Sequence, residues 1–288
     1  MSLTTAFQRF SNLGMVRIAV HPANRLLRAL GPFEFKIENQ SVFANSVDRV
    51  ISLALLRSGG SEDPELSLWR QVCGSGMTVA DVGSNLGLYA FVAAECVGPR
   101  GRVIAIEAAP DNADLIRLGC KRNGYRNIDL VQAAAAERSG EVELAIRDEH
   151  RGDHQIANTS STRRRIKVAA VTLDELVGRR AKIDRIKIDV QGAVALVIKG
   201  MNQILKDSPQ LIVFSEFWPK GLSRCGMRAS DYLAFWRDAG FDIFEVVSRS
   251  RLRLVDDEAL ASSYGSSGYT NLIISRDRHY LANVVQLC

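Results

Sequence analysis

The stretch Val79-Ala80-Asp81-Val82-Gly83-Ser84-Asn85-Leu86-Gly87-Leu88-Tyr89-Ala90 limits what this chain can fold into more than any other part of it. A short apolar run meets an acid, passes through a turn bounded by two glycines and resumes as an apolar helix start. Gly83 and Gly87 permit backbone angles that a side chain forbids and leave main-chain N–H groups open to a ligand. A strand-to-helix change of this kind places that ligand at the carboxyl edge of a sheet. Asp81, Gly83, Ser84, Asn85 and Gly87 are therefore the first candidate cofactor-binding residues.

The spacing argues against a dinucleotide. A pyrophosphate fingerprint needs G-x-G-x-x-G, its middle glycine making room for phosphate oxygens. Here Ser84 and Asn85 fill the central positions, and Asp81 puts a negative charge where pyrophosphate would sit. S-adenosylmethionine has no phosphate and carries an ammonium group on its methionine end, so an acid closing the first strand suits it better than NAD. A second apolar run, Arg102 to Ile106, ends in Glu107. That acid lies roughly 20 residues beyond the loop, where nucleoside-binding α/β folds accept hydrogen bonds from ribose hydroxyls. Glu107 joins the cofactor-binding set and is neutral between the two cofactors.

Composition narrows the class. With 288 residues and 47% hydrophobic content the chain can bury one sizeable core, so one main domain with a small appendage is expected. The formal charge of +5, from 37 basic and 32 acidic residues, is well short of a nucleic-acid arm. Arg163-Arg164-Arg165 is read as a solvated loop end before a strand, with an anionic-substrate contact as the alternative. The five cysteines are scattered without a C-x-x-C pair, which indicates neither a disulfide frame nor a zinc site and favours the cytoplasm. His150 and His154 are four apart, but Gly152 between them argues against a helical metal site, and no metal is expected. No apolar run reaches membrane-spanning length, and Arg9 and Arg17 interrupt any signal-peptide core. Phe7, Phe10 and Ile18 stand near helical spacing and suit packing onto the main domain, with a helix lying on a membrane surface as the alternative.

Along the chain, Phe35-Lys36-Ile37 and Ser41-Val42-Phe43-Ala44 flank a polar turn and predict a hairpin, followed by a helical pattern from Val47 to Leu55. This segment, residues 1–70, is read as a helical and hairpin cap on a domain of residues 71–288. In the body, strands at 78–83, 102–107 and 128–134 alternate with helices at 86–97 and 110–123, the latter opened by Pro110. A hairpin strand at 141–146 and a strand at 166–171 follow, then a short helix capped by Thr172, a core strand at 185–190, a helix over 193–205 and a strand at 211–214. A helix over 230–239 precedes strands at 241–247 and 271–275, with no helical pattern between those two. Strands alternating with helices predict a parallel sheet, and the last two strands should pair antiparallel, because a parallel crossover usually needs a helix. The expected fold is α/β and Rossmann-like, a mostly parallel seven-stranded sheet with an antiparallel terminal strand and helices on both faces.

Ile186-Lys187-Ile188-Asp189-Val190-Gln191-Gly192, followed by Ile198-Lys199-Gly200, resembles the hallmark I-K-I-D-V-E-G-x-E…L-K-G segment of FkbM-type methyltransferases, downstream of their D-x-G-x-N-x-G loop. The likeness covers roughly Glu62 to the C-terminus. Gln191 replaces the usual Glu, and Val194 stands where a second Glu is common. The resemblance implies a class I methyltransferase fold and S-adenosylmethionine-dependent methylation of a hydroxyl on a sugar, glycolipid or secondary metabolite. The partner is then a small-molecule or glycosidic acceptor rather than nucleic acid. Rival readings are an NAD(P)-linked oxidoreductase, a catalytically silent cofactor-binding module and a nucleic-acid methyltransferase.

Methyl transfer from a sulfonium is an in-line displacement, so the enzyme's work is alignment and removal of the acceptor proton. Asp189 closes the strand expected beside the cofactor strand and either lines the reaction site or caps the next helix. Glu216, in Ser215-Glu216-Phe217-Trp218, is either functional or solvated in a loop. His154, in a polar loop long enough to cover the crevice, is a candidate proton acceptor with an ordinary loop histidine as the alternative. Asp189, His154 and Glu216 form the candidate catalytic set. Glu65 matches an acid that relatives place upstream of the loop and also suits the first turn of a helix.

Overall fold

Continuous apolar runs bounded by turn residues predict strands buried on both faces, and these runs build the centre of the molecule. The computed structural model describes residues 31–45, 64–146, 155–156, 164–178, 182–249, 251–264 and 268–287. The helical pattern from Val47 to Leu55, the N-terminal Phe7, Phe10 and Ile18, and both His150 and His154 lie outside the described residues.

The expected hairpin is present as β1 (Pro32–Ile37) and β2 (Gln40–Asn45), antiparallel across a turn at Glu38 and Asn39. After α1 (Pro64–Val72) come β3 (Thr78–Val82), α2 (Leu88–Val97), β4 (Arg102–Ile106), α3 (Pro110–Asn123) and β5 (Ile128–Val131). The chain then enters a second sheet through β6 (Ala134–Ala135), β7 (Gly140–Ile146), β8 (Gln155–Ile156) and β9 (Arg164–Val171). It returns by α4 (Leu173–Val177) to β10 (Arg185–Ile188), α5 (Val194–Lys199), α6 (Asn202–Asp207) and β11 (Ile212–Phe217). The remainder is α7 (Pro219–Arg224), α8 (Ala229–Asp238), β12 (Asp242–Ser248), β13 (Arg251–Leu254), α9 (Asp257–Ser263), β14 (Thr270–Ser275), α10 (Arg278–Val284) and β15 (Gln286–Leu287).

The main sheet has nine strands in the order β15-β13-β12-β14-β11-β10-β3-β4-β5. Its core is the seven strands expected, from β5 to β12, and β14 runs antiparallel to both of its neighbours. Two short strands, β13 and β15, extend the edge beyond them. Successive side chains point to opposite faces of a strand, and each face has its own apolar layer. Ala80, Val82, Ile186, Ile188 and Val213 pack under α5, α6 and α8. Val79, Val103, Ile212, Phe214 and Ile273 pack under α1, α2 and α10. The hairpin packs its Ile37 and Val42 against Phe91 of α2 and Ile116 of α3.

The structure corrects four details. The strand expected at 128–134 is two strands in different sheets. The helix expected over 193–205 breaks at Gly200, where a Cβ would lie 2.3 Å from the Ala136 carbonyl oxygen. Asp174 then caps the restart by accepting from the Gln203 and Ile204 N–H groups at 2.9 Å each. The strand expected at 211–214 runs on to Phe217. A helix, α9, does stand between the last two predicted strands, opened by Asp256 accepting from the Ala259 N–H at 2.8 Å. Its single buried residue, Leu260, leaves too little periodicity to read. No helix among the described residues is long and apolar enough to cross a membrane.

Candidate active site

Three chain segments converge at the carboxyl edge of β3, β4 and β10. Gly83 and Ser84 both donate their N–H to the Ile106 carbonyl, at 2.9 and 3.0 Å, and the Asp189 N–H donates to the Val82 carbonyl at 2.9 Å. Gly83 has φ of 83°, and a Cβ there would lie 2.0 Å from the Asp189 carbonyl oxygen. The glycine is thus required twice, by its left-handed backbone and by the chain passing against it. Asn85 is also left-handed, with φ of 52°. Gly87 closes the turn by donating to the Ser84 carbonyl at 2.7 Å and starts α2 by accepting from the Phe91 N–H at 2.8 Å. The Ser84 hydroxyl donates to the Asp81 carbonyl at 2.8 Å, so it ties the loop to its own strand.

Glu107 receives two of the backbone donors so arranged, the Asn85 N–H at 2.7 Å and the Ala109 N–H at 2.8 Å. Asn112, from the first turn of α3, donates to the Asn85 side-chain oxygen at 3.3 Å. Burial pushes the Glu107 carboxyl up to about 7 against the pull of the Ala109, Asn85 and Asn112 donors. The resulting group is a buried acceptor facing a cleft, with its orientation fixed by the main chain.

At the other end the charges are balanced by a side chain. Lys187 sits mid-strand on β10, level with Asp81 on β3 and Phe214 on β11. Its ammonium lies 3.2 Å from Asp189, 3.8 Å from Glu65 and 4.4 Å from the centre of the Tyr89 ring. Burial pulls the Lys187 pKa down, but the carboxylates of Asp189, Glu65 and Asp81 outweigh it and hold the group above the ordinary lysine range. Asp81 is pushed up by burial to about 6, less than burial alone would give because Lys187 and Ser84 favour its charged form. One of its carboxylate oxygens, Oδ2, is buried without a hydrogen-bond partner among the described residues.

Asp189 accepts from Lys187 through Oδ2 and from the Gln191 amide through Oδ1, each at 3.2 Å. It does not cap the following helix: α5 starts from Ala193 with no side-chain cap. Glu216 is corrected from a possible solvated loop position to a buried one within β11, paired in register with Asn271 of β14. Asn271 in turn donates to Glu65 at 2.7 Å. Val194 is buried in the core under the sheet.

A cleft enclosing about 570 Å³ of space, part of it open to solvent, runs between the two ends. Gly83, Asn85, Glu107 and Asp189 line it, with Ile106, Ala134 and Leu144 as apolar walls. Asp81, Ser84, Gly87 and Glu216 do not line it, and Asp81, Ser84 and Glu216 are buried. Asn112 is passed over by motif reading, and Lys187 is quoted there as part of the hallmark segment but given no role. A lysine inside an otherwise apolar strand, Ile186-Lys187-Ile188, was the available signal, because a central strand leaves it no route to solvent.

Residues 81–243, more than half of the chain, match the family described as the methyltransferase FkbM domain. The chain belongs to the FkbM methyltransferase family. S-adenosylmethionine is the cofactor, and the site fits it: an unpartnered buried oxygen on Asp81 and the charged set behind it at one end, an oriented carboxylate at the other and apolar walls between. Among curated proteins, this FkbM chain is 39% identical over 56 residues to a protein-L-isoaspartate O-methyltransferase from Methanothrix thermoacetophila. That match covers 19% of this chain and 27% of the relative. A protein-L-isoaspartate O-methyltransferase from Methanococcoides burtonii is 41% identical over 56 residues, 19% of this chain and 28% of the relative. The chain thus spans about a quarter of the length of these relatives. Among solved structures, methyltransferase FkbM from Methylobacillus flagellatus matches with 13% identity and a TM-score of 0.44, over 88% of this chain and 58% of that one. An S-adenosylmethionine-dependent methyltransferase from Aquifex aeolicus matches with 14% identity and a TM-score of 0.40, over 75% and 90%.

Proposed function

We propose that this FkbM protein is an O-methyltransferase acting in the cytoplasm on a hydroxyl of a sugar, glycolipid or other small acceptor. The observation that carries the reading is Asp189. Its carboxylate reaches the cleft wall with both oxygens held, one by Lys187 and one by Gln191, while its main chain packs directly on Gly83 of the cofactor loop. A group fixed that firmly beside the loop suits orienting an acceptor O–H and receiving its proton.

S-adenosylmethionine supplies a methyl group on a positively charged sulfur with a neutral thioether as leaving group. The chain's own residues do the remaining work. Glu107 accepts from the ribose hydroxyls, its position set by the Asn85 and Ala109 N–H groups. Gly83 and Asn85 shape the wall beside the methionine end, and the buried Asp81 carboxylate adds negative charge behind that wall. Ile106, Ala134 and Leu144 exclude water from the adenosine. Glu216 is a reserve candidate for the acceptor side, since it shares a sheet face with Asp189 two strands' width from the cofactor loop. His154 keeps the role of alternative proton acceptor. In this reading the hairpin of β1 and β2 is the described part of an N-terminal cap on the methyltransferase domain.

The test is a screen of sugar, glycolipid and secondary-metabolite hydroxyl acceptors with methyl-labelled S-adenosylmethionine, followed by the Asp189→Asn variant on the acceptor found. Turnover should fall at least about tens-fold, the scale of losing a general base or its alignment, while affinity for S-adenosylhomocysteine stays within a few-fold. Parent turnover in Asp189→Asn, with loss in His154→Ala, would move the proton acceptor to the loop.

A further inference from the structure

Lys187 has no explanation in packing. Its strand neighbours Ile186 and Ile188 are fully buried, its side chain is 6% exposed, and an apolar residue in the same register would extend the layer formed by Val79, Phe214 and Ile273. Replacing a whole buried ion pair by well-packed apolar groups is often neutral or stabilising, so stability alone does not call for the ammonium and its carboxylates together. What the position does supply is one positive charge among several carboxylates from different elements. Asp81 faces it from β3, Asp189 from the end of its own strand, and Glu65 from α1. Glu216 lies on the same sheet face on β11, Tyr89 of α2 presents its ring, and Asn271 of β14 holds Glu65. The carboxylates outnumber the ammonium, and Asp189 carries the set to the cleft wall.

We propose that Lys187 is a specificity-determining residue that sets the charge of the methyl-donor pocket, and through it how strongly the cleft prefers a cationic sulfonium to a neutral thioether. The proposal rests on the S-adenosylmethionine reading of the cleft. With Lys187 in place the pocket is anionic enough to favour the donor, yet compensated enough that the neutral product does not fall far behind or leave the acids unpaired. Without it the same acids either stay ionised and hold the sulfonium harder, or take up a proton to replace the missing charge. One of those two responses is required by electrostatics, because a buried unpaired charge is costly.

The experiment is calorimetric titration with S-adenosylmethionine and, separately, S-adenosylhomocysteine between pH 6 and pH 9. The two ligands share amine, carboxylate and adenosine and differ in the sulfonium methyl and its charge, so a change in the ratio of their dissociation constants between parent and a variant of a buried residue reports on that charge. A unit charge about 10 Å away at an effective dielectric of about 20 alters binding of another by roughly tenfold. Lys187→Met should therefore shift the ratio toward S-adenosylmethionine by about fivefold or more, or move the pH at which the preference is lost upward by about one unit or more. Lys187→Arg, which keeps the charge, should retain the parent ratio and pH dependence. A folded Lys187→Met protein whose ratio and pH profile superimpose on the parent overturns the proposal. If that variant does not fold, Glu65→Gln carries the test: it removes one negative charge, keeps an oxygen for Asn271, and should shift the ratio toward S-adenosylhomocysteine by about fivefold. An unchanged ratio there overturns the proposal too. A parent protein that binds neither ligand refutes the cofactor reading itself, which is a separate failure.

Discussion

The two ends of the cleft hold their carboxylates by different means. Glu107 is met by neutral donors, the main-chain N–H groups of Asn85 and Ala109. Asp189 is met by a buried ammonium, which it shares with Glu65 and Asp81. Backbone dipoles are placed by the fold and cannot titrate, whereas a side-chain charge is one residue deep. The Glu107 end is therefore built as fixed shape, suited to neutral hydroxyls, and the Asp189 end as an adjustable field, suited to a ligand whose charge changes in the reaction.

The largest effect is expected where both ends meet. Gly83→Ala would press a methyl group into the Asp189 main chain, at a position whose backbone is left-handed. A loss of about 3 kcal/mol or more in stability is expected, read from the denaturant midpoint. Parent-like stability would show that the strand ends move independently, and the two ends would then not be one frame.

Glu107→Ala tests the fixed end alone. Cofactor affinity should fall by about 1.5–3 kcal/mol, the scale of hydrogen bonds to a charged group, in a domain that still folds. Normal binding by the folded variant would remove Glu107 from the ribose.

The pH dependence sharpens the contrast further. Burial raises Glu107 to about 7 and Asp81 to about 6. In the unfolded chain both lose their protons near the ordinary carboxylate value of about 4. Between about pH 4 and pH 7 the folded state thus binds more protons than the unfolded state, so the stability these groups contribute falls as pH rises. The cofactor-free protein should melt at a higher temperature near pH 5 than near pH 8, and Glu107→Gln should flatten the difference. A Glu107→Gln protein with the parent's slope would place the titration elsewhere.

The smallest effect belongs to Ser84→Ala. Because its hydroxyl is committed to the Asp81 carbonyl, stability should drop by about 1 kcal/mol and S-adenosylhomocysteine affinity should change less than about threefold. A tenfold loss of affinity would mean that Ser84 touches the cofactor directly.

Much of the frame was readable because local signals and burial agreed. Pro110 and Gly124 bracket α3, and the apolar runs of β3, β4 and β10 form the sheet centre. What escaped reading depended on partners distant in sequence. The break before α6 follows from the Ala136 carbonyl against Gly200 and from the Asp174 cap, neither visible in the local periodicity. The Asp81, Gly83, Asn85 and Glu107 neighbourhood was legible from spacing, and the structure brings these residues together with Asp189. Lys187 and the burial of Glu65 were not, since a charge inside a strand gains meaning only once α1 and β3 are laid over it.

The central claim is that this cleft holds S-adenosylmethionine rather than a dinucleotide. Calorimetric titration of the purified chain with S-adenosylhomocysteine and with NAD tests it most directly. A dissociation constant of about 1 μM or tighter is expected for S-adenosylhomocysteine, with NAD at least about tenfold weaker. Equal affinity for the two ligands would contradict the account.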